Sequence, residues 1–258
     1  MTDVKYALRE FRTSGCILTM ADMDGFFIGD RSFYEDYECP DETPGHRLSV
    51  PLRAAQVSHG WRGRWDEPWR IAGDVQLEIW DRSGRSIGEY DLMSVEITLA
   101  SPDGDVGEMQ ATVSLPPHAW AKPVWEAWRV GPPVQLNQWW DIPVGQREGW
   151  VEVAQHSMIA KRPHREEIVL DGRGVVDLAS FFCAIGEAVH GPGGYFGSNF
   201  MALHDCLRCR PSILLHWQDY AVAEEHLSHS VDLEEGPMRW IDIIMGYLSA
   251  AGTRVVLE

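Results

Sequence analysis

Residues 191–209 read GPGGYFGSNFMALHDCLRC, and this stretch decides the fold predicted for the last third of the chain. Its first four residues exclude regular structure and permit backbone conformations that are closed to other residues. Two large rings follow, Tyr195 and Phe196, and then Gly197 supplies a further unusual backbone angle. Asn199, with Ser198 as the alternative, is a suitable N-cap for a short amphipathic helix. Apolar side chains recur at helical spacing and are expected to face a core: Phe200, Leu203 and Leu207.

The opposite face of the predicted helix carries Met201, His204, Asp205 and Arg208. At this point the sequence GYFGSNFMALHDCL resembles the signature of the barstar family, which are small intracellular inhibitors of ribonucleases. The positions that match this signature are Tyr195, Phe196, Gly197, Asn199, Ala202, Leu203, Asp205, Cys206 and Leu207. The resemblance covers about residues 166–258 and does not extend to the first 155 residues.

The resemblance implies a partner-binding surface without catalytic residues. In the family, an aspartate at the position of Asp205 fills the phosphate site of the ribonuclease. Three positions differ from the family: Met201 replaces an aspartate, His204 replaces a tryptophan, and Tyr247 replaces a carboxylate of the last helix. The acidic patch is thus diluted and more apolar, which favours a partner other than barnase. The predicted partner-binding residues are Tyr195, Phe196, Gly197, Asn199, Met201, His204, Asp205 and Tyr247.

Short apolar strands alternate with helices over the region predicted to be the barstar-like domain, residues 166–258. Strands are predicted at 167–170, 211–217 and 253–257, and the four helices lie between them, with an acidic loop at 228–236. Asp177 is the expected N-cap of the first of these helices. Short apolar strands joined by helical crossovers favour a three-stranded parallel sheet with helices packed against it. This is also the α/β fold that the resemblance implies.

Residues 1–155 are predicted to form a separate, mainly β domain, joined through a polar, proline-containing linker at 156–165. We expect a sandwich or a bent antiparallel sheet. A hairpin is predicted around residues 22–25, with 26–28 as its second strand. A short helix is predicted at residues 119–129. Residues 134–140 and 150–153 are predicted to be the strands that close the sheet.

Ten of the 12 tryptophans lie in this first domain. Trp61, Trp65 and Trp69 are four apart, but Gly63 and Pro68 argue against a helix between them. Exposed rings on a sheet could stack on a sugar or a protein, and the alternative interpretation is that these rings fill a core. The core interpretation explains most of the tryptophans, and residues 1–155 do not reveal a function of their own.

The composition narrows the class of protein. The net charge is -17, which disfavours binding to nucleic acid and anionic membranes and favours cationic partners. No apolar run approaches a membrane span and the N-terminus shows no secretory core, so we expect a cytoplasmic protein. Five cysteines at irregular spacing argue against a disulfide framework. No cofactor is expected.

Four motifs resemble fragments of metal sites, but none has the required set of ligands. Asp22-x-Asp24-Gly25 lacks the remaining ligands of a calcium loop, and Cys206-x-x-Cys209 lacks a second pair of cysteines. Glu187-x-x-His190 and the pair His226 and His229 have no partner cluster at diagnostic spacing. We therefore expect no metal site.

The sequence thus predicts a non-enzymatic, intracellular inhibitor or immunity protein whose barstar-like domain occludes the active site of a ribonuclease toxin. The alternative hypothesis is a non-inhibitory binding module, in which the Trp-rich β domain recognises a carbohydrate or a protein. An enzyme is the third interpretation, and it would need a pocket with paired acid–base residues.

Overall fold

A computed structural model describes residues 3–11, 15–30, 46–58, 70–99, 106–113, 116–159, 166–209, 213–233 and 236–258. These residues form two compact units. The first unit contains the described residues up to Pro132, together with His156–Ile159. The second unit contains Pro133–Gln155 and the described residues from 166 to the end.

The first unit is an eight-stranded antiparallel sheet followed by one helix. The sheet order is β3-β4-β8-β7-β6-β1-β2-β5. The strands are β1 Tyr6–Glu10, β2 Cys16–Met20, β3 Asp22–Met23, β4 His46–Arg53, β5 Gln56–Val57, β6 Arg70–Trp80, β7 Ser86–Leu99 and β8 Val106–Val113, and the helix is α1 Ala121–Val130. The predicted antiparallel β domain and the predicted short helix are both confirmed.

The two ends of this sheet meet. β3 follows β2 after one residue, and β5 follows β4 after two, yet β3 and β5 lie at opposite ends of the strand order. Leu18 pairs with Val57 and Asp22 pairs with Arg53, so four steps along one strand match four steps back along the other. The amide of Ala21 donates to the carbonyl of Arg53 between the two ladders. The sheet therefore closes on itself as six continuous strands.

The interior of the closed sheet is filled by apolar side chains. β4 shows the expected alternation, with Leu48, Val50 and Leu52 buried and their neighbours exposed or half-buried. The helix α1 covers part of the sheet, and Trp125 lies directly over Gly88 of β7, where a Cβ atom would come within 2.1 Å of the ring. The indole Nε1 of Trp125 donates to the hydroxyl of Tyr90 at 3.0 Å.

Three local predictions within residues 1–155 are wrong. Residues 26–28 form no strand, because Phe26 and Phe27 turn into the core and make edge-on contacts with Tyr90. Residues 134–140 are irregular and end in a 3₁₀ turn, Gln138–Asp141. Residues 150–153 lie in a helix, α2 Glu148–His156, because long-range packing overrides the β preference of Trp and Val. Trp61, Trp65 and Trp69 lie outside the described residues.

The second unit contains the predicted three-stranded parallel sheet. Its strand order is β13-β10-β9. Leu215 and Trp217 of β10 face the buried side together with Ile168 and Leu170 of β9. The elements are β9 Glu167–Asp171, α3 Leu178–His190, α4 Phe200–Arg208, β10 Leu214–Gln218, α5 Tyr220–Leu227, β11 Ser230–Leu233, β12 Gly236–Arg239, α6 Trp240–Ala250 and β13 Arg254–Leu257.

Two local predictions in this unit, the cap of α3 and the loop at 228–236, can be compared with the structure. The predicted cap Asp177 accepts a hydrogen bond from the amide of Ser180 at 2.7 Å and begins α3. The prediction of an acidic loop at 228–236 is wrong, because β11 and β12 form an antiparallel hairpin there. Glu234 and Glu235 of that segment lie outside the described residues.

The predicted domain limits stay a prediction. Pro133–Gln155, which the sequence analysis places in the β domain, groups here with the second unit. In the predicted linker, Ser157 pairs with Gly88 and the amide of Met158 donates to Ile87, whereas 160–165 lie outside the described residues. Among the helices that the structure describes, none combines the length and the apolar character needed to cross a membrane.

Candidate partner-binding surface

The helix α4 begins at the predicted cap. The side chain of Asn199 accepts a hydrogen bond from the amide of Ala202 at 2.8 Å, which satisfies one of the free donors of the first turn. The alternative cap, Ser198, is buried, and its hydroxyl lies 3.3 Å from the Tyr195 hydroxyl. As predicted, the buried face of the helix consists of Phe200, Leu203 and Leu207.

Gly197 allows the loop to enter this helix. Its φ is +101°, a conformation that L side chains rarely adopt. A Cβ atom at this position would also lie 2.8 Å from the backbone nitrogen and Cα of Leu203. Gly197 therefore brings the loop backbone against the first turn of α4, and its role in the described geometry is to shape the loop.

The two rings of the loop face mostly inward. Phe196 is buried, and its ring lies 6.2 Å from the ring of His190. Tyr195 is half-buried, and burial raises the pKa of its hydroxyl. Of these two predicted contact residues, only Tyr195 retains surface that a partner could reach, whereas Phe196 anchors the loop to the core.

Three predicted contact residues lie together on the outer face of α4. Met201 is 60% exposed, and the side chain of Asp205 is 76% exposed. The His204 ring is half-exposed, with its Nδ1 3.7 Å from an Asp205 oxygen. We refer to Met201, His204, Asp205 and Tyr247 as the α4–α6 face. It combines one carboxylate with a thioether and two rings.

Tyr247 brings the helix α6 into this face. Its ring stacks on Phe200, with centroids 5.2 Å apart and an interplanar angle of 22°. The centroids of the Tyr247 and His204 rings lie 6.2 Å apart, and the two rings are nearly perpendicular. Trp240, which the sequence analysis did not single out, also stacks on Phe200, at 5.7 Å. Residues 240 and 247 are two helical turns apart on α6, so this spacing was the signal for a shared face.

The buried polar groups of the second unit were not predicted from the sequence. Glu187 is buried and accepts hydrogen bonds from the amide of Asn137 and the indole of Trp139. Burial raises the pKa of the Glu187 carboxyl, although these donors and the amide of Gly193 oppose the shift. A lone glutamate within the apolar pattern of α3 was the available signal.

The candidate metal motifs hold no cluster of ligands among the residues that the structure describes. Asp22 pairs with Lys122 at 3.3 Å, and Asp24 pairs with Arg53 at 2.6 Å, so both carboxylates are used within the protein. Both ion pairs connect elements that are distant in sequence. The Asp22–Gly25 motif therefore consists of the short strand β3 and the turn after it, and its two carboxylates form ion pairs within the protein.

The described tryptophans of the first unit serve mainly as core. Trp125 and Trp128 of α1 are buried and pack edge-on at 6.1 Å. Trp80 is half-buried and donates its indole N–H to Glu78, and Trp120 is 39% exposed. The described part of this unit thus offers one exposed indole, which does not make the row of rings that a sugar-binding surface uses.

Comparison with known proteins identifies one family. Residues 165–235 match the family model Barstar (barnase inhibitor). No curated protein and no solved structure matches the chain. The matched segment contains β9, α3, α4, β10 and α5, and α6 with Tyr247 follows it. The chain therefore carries a C-terminal barstar-like domain, similar to the ribonuclease inhibitors of that family.

Proposed function

We propose that the chain is a non-enzymatic inhibitor that binds a ribonuclease toxin through its barstar-like domain and occludes the active site. The observation that carries this proposal is the exposed carboxylate of Asp205 on α4, within the segment that matches the barstar family. The barstar-like fold supports the same proposal, because it supplies a rigid helix on which that carboxylate is presented.

Charge complementarity explains how such a complex would form. A ribonuclease holds the phosphates of its substrate with cationic groups, so its cleft attracts carboxylates. Asp205 offers one carboxylate on an exposed helix face, and the net charge of -17 on the whole chain favours encounter with a cationic protein. We propose that Asp205 occupies the site of a substrate phosphate.

The remainder of the α4–α6 face suggests which ribonuclease cleft is complementary to it. Met201 is exposed where the family has a second carboxylate, and the rings of His204 and Tyr247 contact each other on the same α4–α6 face. A strongly basic cleft would leave one of its cations unpaired against Met201. We therefore propose a partner in which one cationic site lies beside an apolar wall, and that this mismatch discriminates against more basic ribonucleases.

Calorimetric titration of the full chain with a panel of microbial ribonucleases tests the proposal. We expect one-to-one binding, which Asp205→Ala weakens by several kcal/mol, on the order of 2–8 as for desolvated charged hot spots, a range whose upper end comes from a barstar aspartate itself. Glu225→Ala is the matched control, since it removes the same charge from an exposed position of α5. Equal effects of the two variants would reject the assigned role of Asp205.

Met201→Asp tests the specificity part of the proposal. This substitution restores the family carboxylate one helical turn before Asp205. We expect tighter binding to strongly basic ribonucleases and weaker binding to the partner of the unmodified chain, measured in the same titrations. A uniform change across the panel would show that Met201 does not discriminate between partners.

A further inference from the structure

Glu187 connects two segments that are far apart in the sequence. One carboxylate oxygen, Oε2, accepts hydrogen bonds from the amide of Asn137 at 2.7 Å and from the indole Nε1 of Trp139 at 3.1 Å. The other oxygen, Oε1, accepts from the amide of Gly193 at 3.3 Å. The side chain is 4% exposed, so water does not substitute for these partners.

The three partners require a carboxylate at this position. All three are N–H donors, and they approach both oxygens of the side chain. An ionised carboxylate accepts at both oxygens, whereas an amide or a protonated acid would turn a donor towards one of these donors. Keeping a charge in the interior is costly, and this cost is offset when the charge is fully hydrogen-bonded.

The first connected segment is Pro133–Gln155, which belongs to the second unit and packs there against α3. The Trp139 ring is completely buried, and the Arg147 guanidinium lies 5.0 Å from its centroid. Arg147 also donates to the hydroxyl of Ser180 at 2.7 Å and to the carbonyl of Gly174 at 3.1 Å. The segment is therefore packed against the beginning of α3 as well as against Glu187.

The second connected segment is the loop that leads into α4. Gly193 lies two residues before Tyr195 and six before the cap Asn199. The next residue, Gly194, touches α3 so closely that a Cβ atom would lie 2.3 Å from the carbonyl oxygen of Gly186. The position of this loop on α3 sets where α4 begins, and α4 carries Met201, His204 and Asp205.

We propose that Glu187 is a positioning residue for partner binding and that Pro133–Gln155 is a brace built into the binding domain. The brace donates two hydrogen bonds to one oxygen of Glu187, from Asn137 and Trp139. The other oxygen accepts the hydrogen bond from Gly193 and so fixes the loop before α4. The effect on binding rests on the proposed inhibitor function, whereas the effect on the loop does not. The binding domain accordingly begins near Pro133.

The test compares Trp139→Phe with Trp140→Phe in the full chain. Trp139→Phe keeps a ring in place but removes the N–H that Glu187 accepts. Trp140→Phe makes the same chemical change one residue later, at an indole whose buried nitrogen has no hydrogen-bond partner among the described residues. Amide hydrogen exchange of residues 191–199 reports on the loop, and titration with whichever ribonuclease of the panel binds the unmodified chain reports on binding.

We expect Trp139→Phe to speed exchange at Gly193 roughly fivefold to tenfold and to weaken ribonuclease binding by a similar factor, as for the loss of one net hydrogen bond. Trp140→Phe should leave both quantities within about twofold. Exchange in the middle of α3 serves as the folding control and should not change in either variant.

Glu187→Gln provides the second variant, and it should reproduce the faster exchange of the loop because an amide nitrogen meets one of the donors. Equal loop exchange in Trp139→Phe, Trp140→Phe and the unmodified chain would overturn the brace. Faster loop exchange with unchanged ribonuclease binding would reject the positioning role. If no ribonuclease binds the unmodified chain, the inhibitor function fails, and the exchange experiment still decides whether the brace exists.

Discussion

The two units of this protein solve the problem of sheet edges in different ways. The sheet of the first unit closes on itself, so each of its six continuous strands is paired on both sides. The sheet of the second unit stays open, with β9 and β13 at its edges and helices covering one face. An unpaired edge strand exposes backbone N–H and C=O groups that have no partner strand. Closing the sheet pairs these groups and leaves no edge strand.

The aromatic residues also have different roles in the two units. In the first unit, Trp125 packs between α1 and β7, and Trp128 is buried next to it. In the second unit, Tyr247 and His204 remain partly exposed where α4 meets α6, although Phe200 beneath them is buried. A high tryptophan content thus indicates a core in one unit, while a few half-exposed rings mark the candidate surface of the other.

The largest expected effect tests whether the tryptophans of the first unit are core residues. Trp125→Ala removes a buried ring that covers Gly88 and donates to Tyr90. We expect it to lower the free energy of unfolding around β7 by about 3–5 kcal/mol. Trp120→Ala, at an exposed indole, should cost about 0.5 kcal/mol or less. Amide exchange along β7 measures both, and equal costs would contradict the core interpretation.

The next prediction concerns the buried arginine of the second unit. Arg147→Met keeps much of the side-chain volume but removes the donor to the buried hydroxyl of Ser180 and to the half-buried carbonyl of Gly174. We expect the free energy of unfolding around α3 to fall by about 2–3 kcal/mol. Arg173→Met is the control, because Arg173 is exposed and pairs with Asp171 at the surface. The control should change stability far less, and a reversed order in urea titrations would contradict the brace packing.

A pair of glycines should show opposite signs within the second unit. Gly197→Ala forces an L side chain into a φ of +101° and against Leu203, which we expect to cost about 1–3 kcal/mol. Gly246→Ala, on the exposed side of α6 with open space around it, should instead stabilise by about 0.5–1 kcal/mol. Thermal unfolding of the two variants distinguishes the strained loop from the ordinary helix position.

The smallest expected effect is on pH dependence, and its sign differs between the two units. Burial lowers the pKa of His156, which stacks on Tyr90 in the first unit. The carboxylates of Glu258 and Glu167 raise the pKa of His216 on β10 in the second unit. A lowered folded pKa contributes stability that is lost as the pH falls through it, whereas a raised one contributes stability that is lost as the pH rises through it.

Acidification from about pH 8 to about pH 5 should therefore weaken the surroundings of His156 and strengthen those of His216. Amide exchange near each histidine, measured across this range, provides the test. His156→Gln and His216→Gln should each flatten the dependence in their own unit. The same sign of pH dependence around both residues would show that other groups dominate.

Much of the second unit could be predicted because its signals are local. The caps Asp177 and Asn199 and the apolar spacing of α3 and α4 depend on residues three or four positions apart. The helix at 150–153 and the hairpin at 230–239 were mispredicted, since their conformation depends on packing partners and pairing. Of the predicted contact residues, the sequence correctly indicated that Met201 and Asp205 face solvent, but it did not distinguish the buried Phe196 from the half-buried Tyr195.

The sequence by itself determined the antiparallel and parallel character of the two sheets, the capped helix α4 and the resemblance of the last third of the chain to barstar. These features are encoded by side-chain spacing, turn residues and a short motif. Tertiary structure alone decided the closure of the first sheet through pairs such as Leu18 with Val57, and the place of Pro133–Gln155 beside Glu187. The physical reason is distance along the chain, because these contacts join residues that no local periodicity relates.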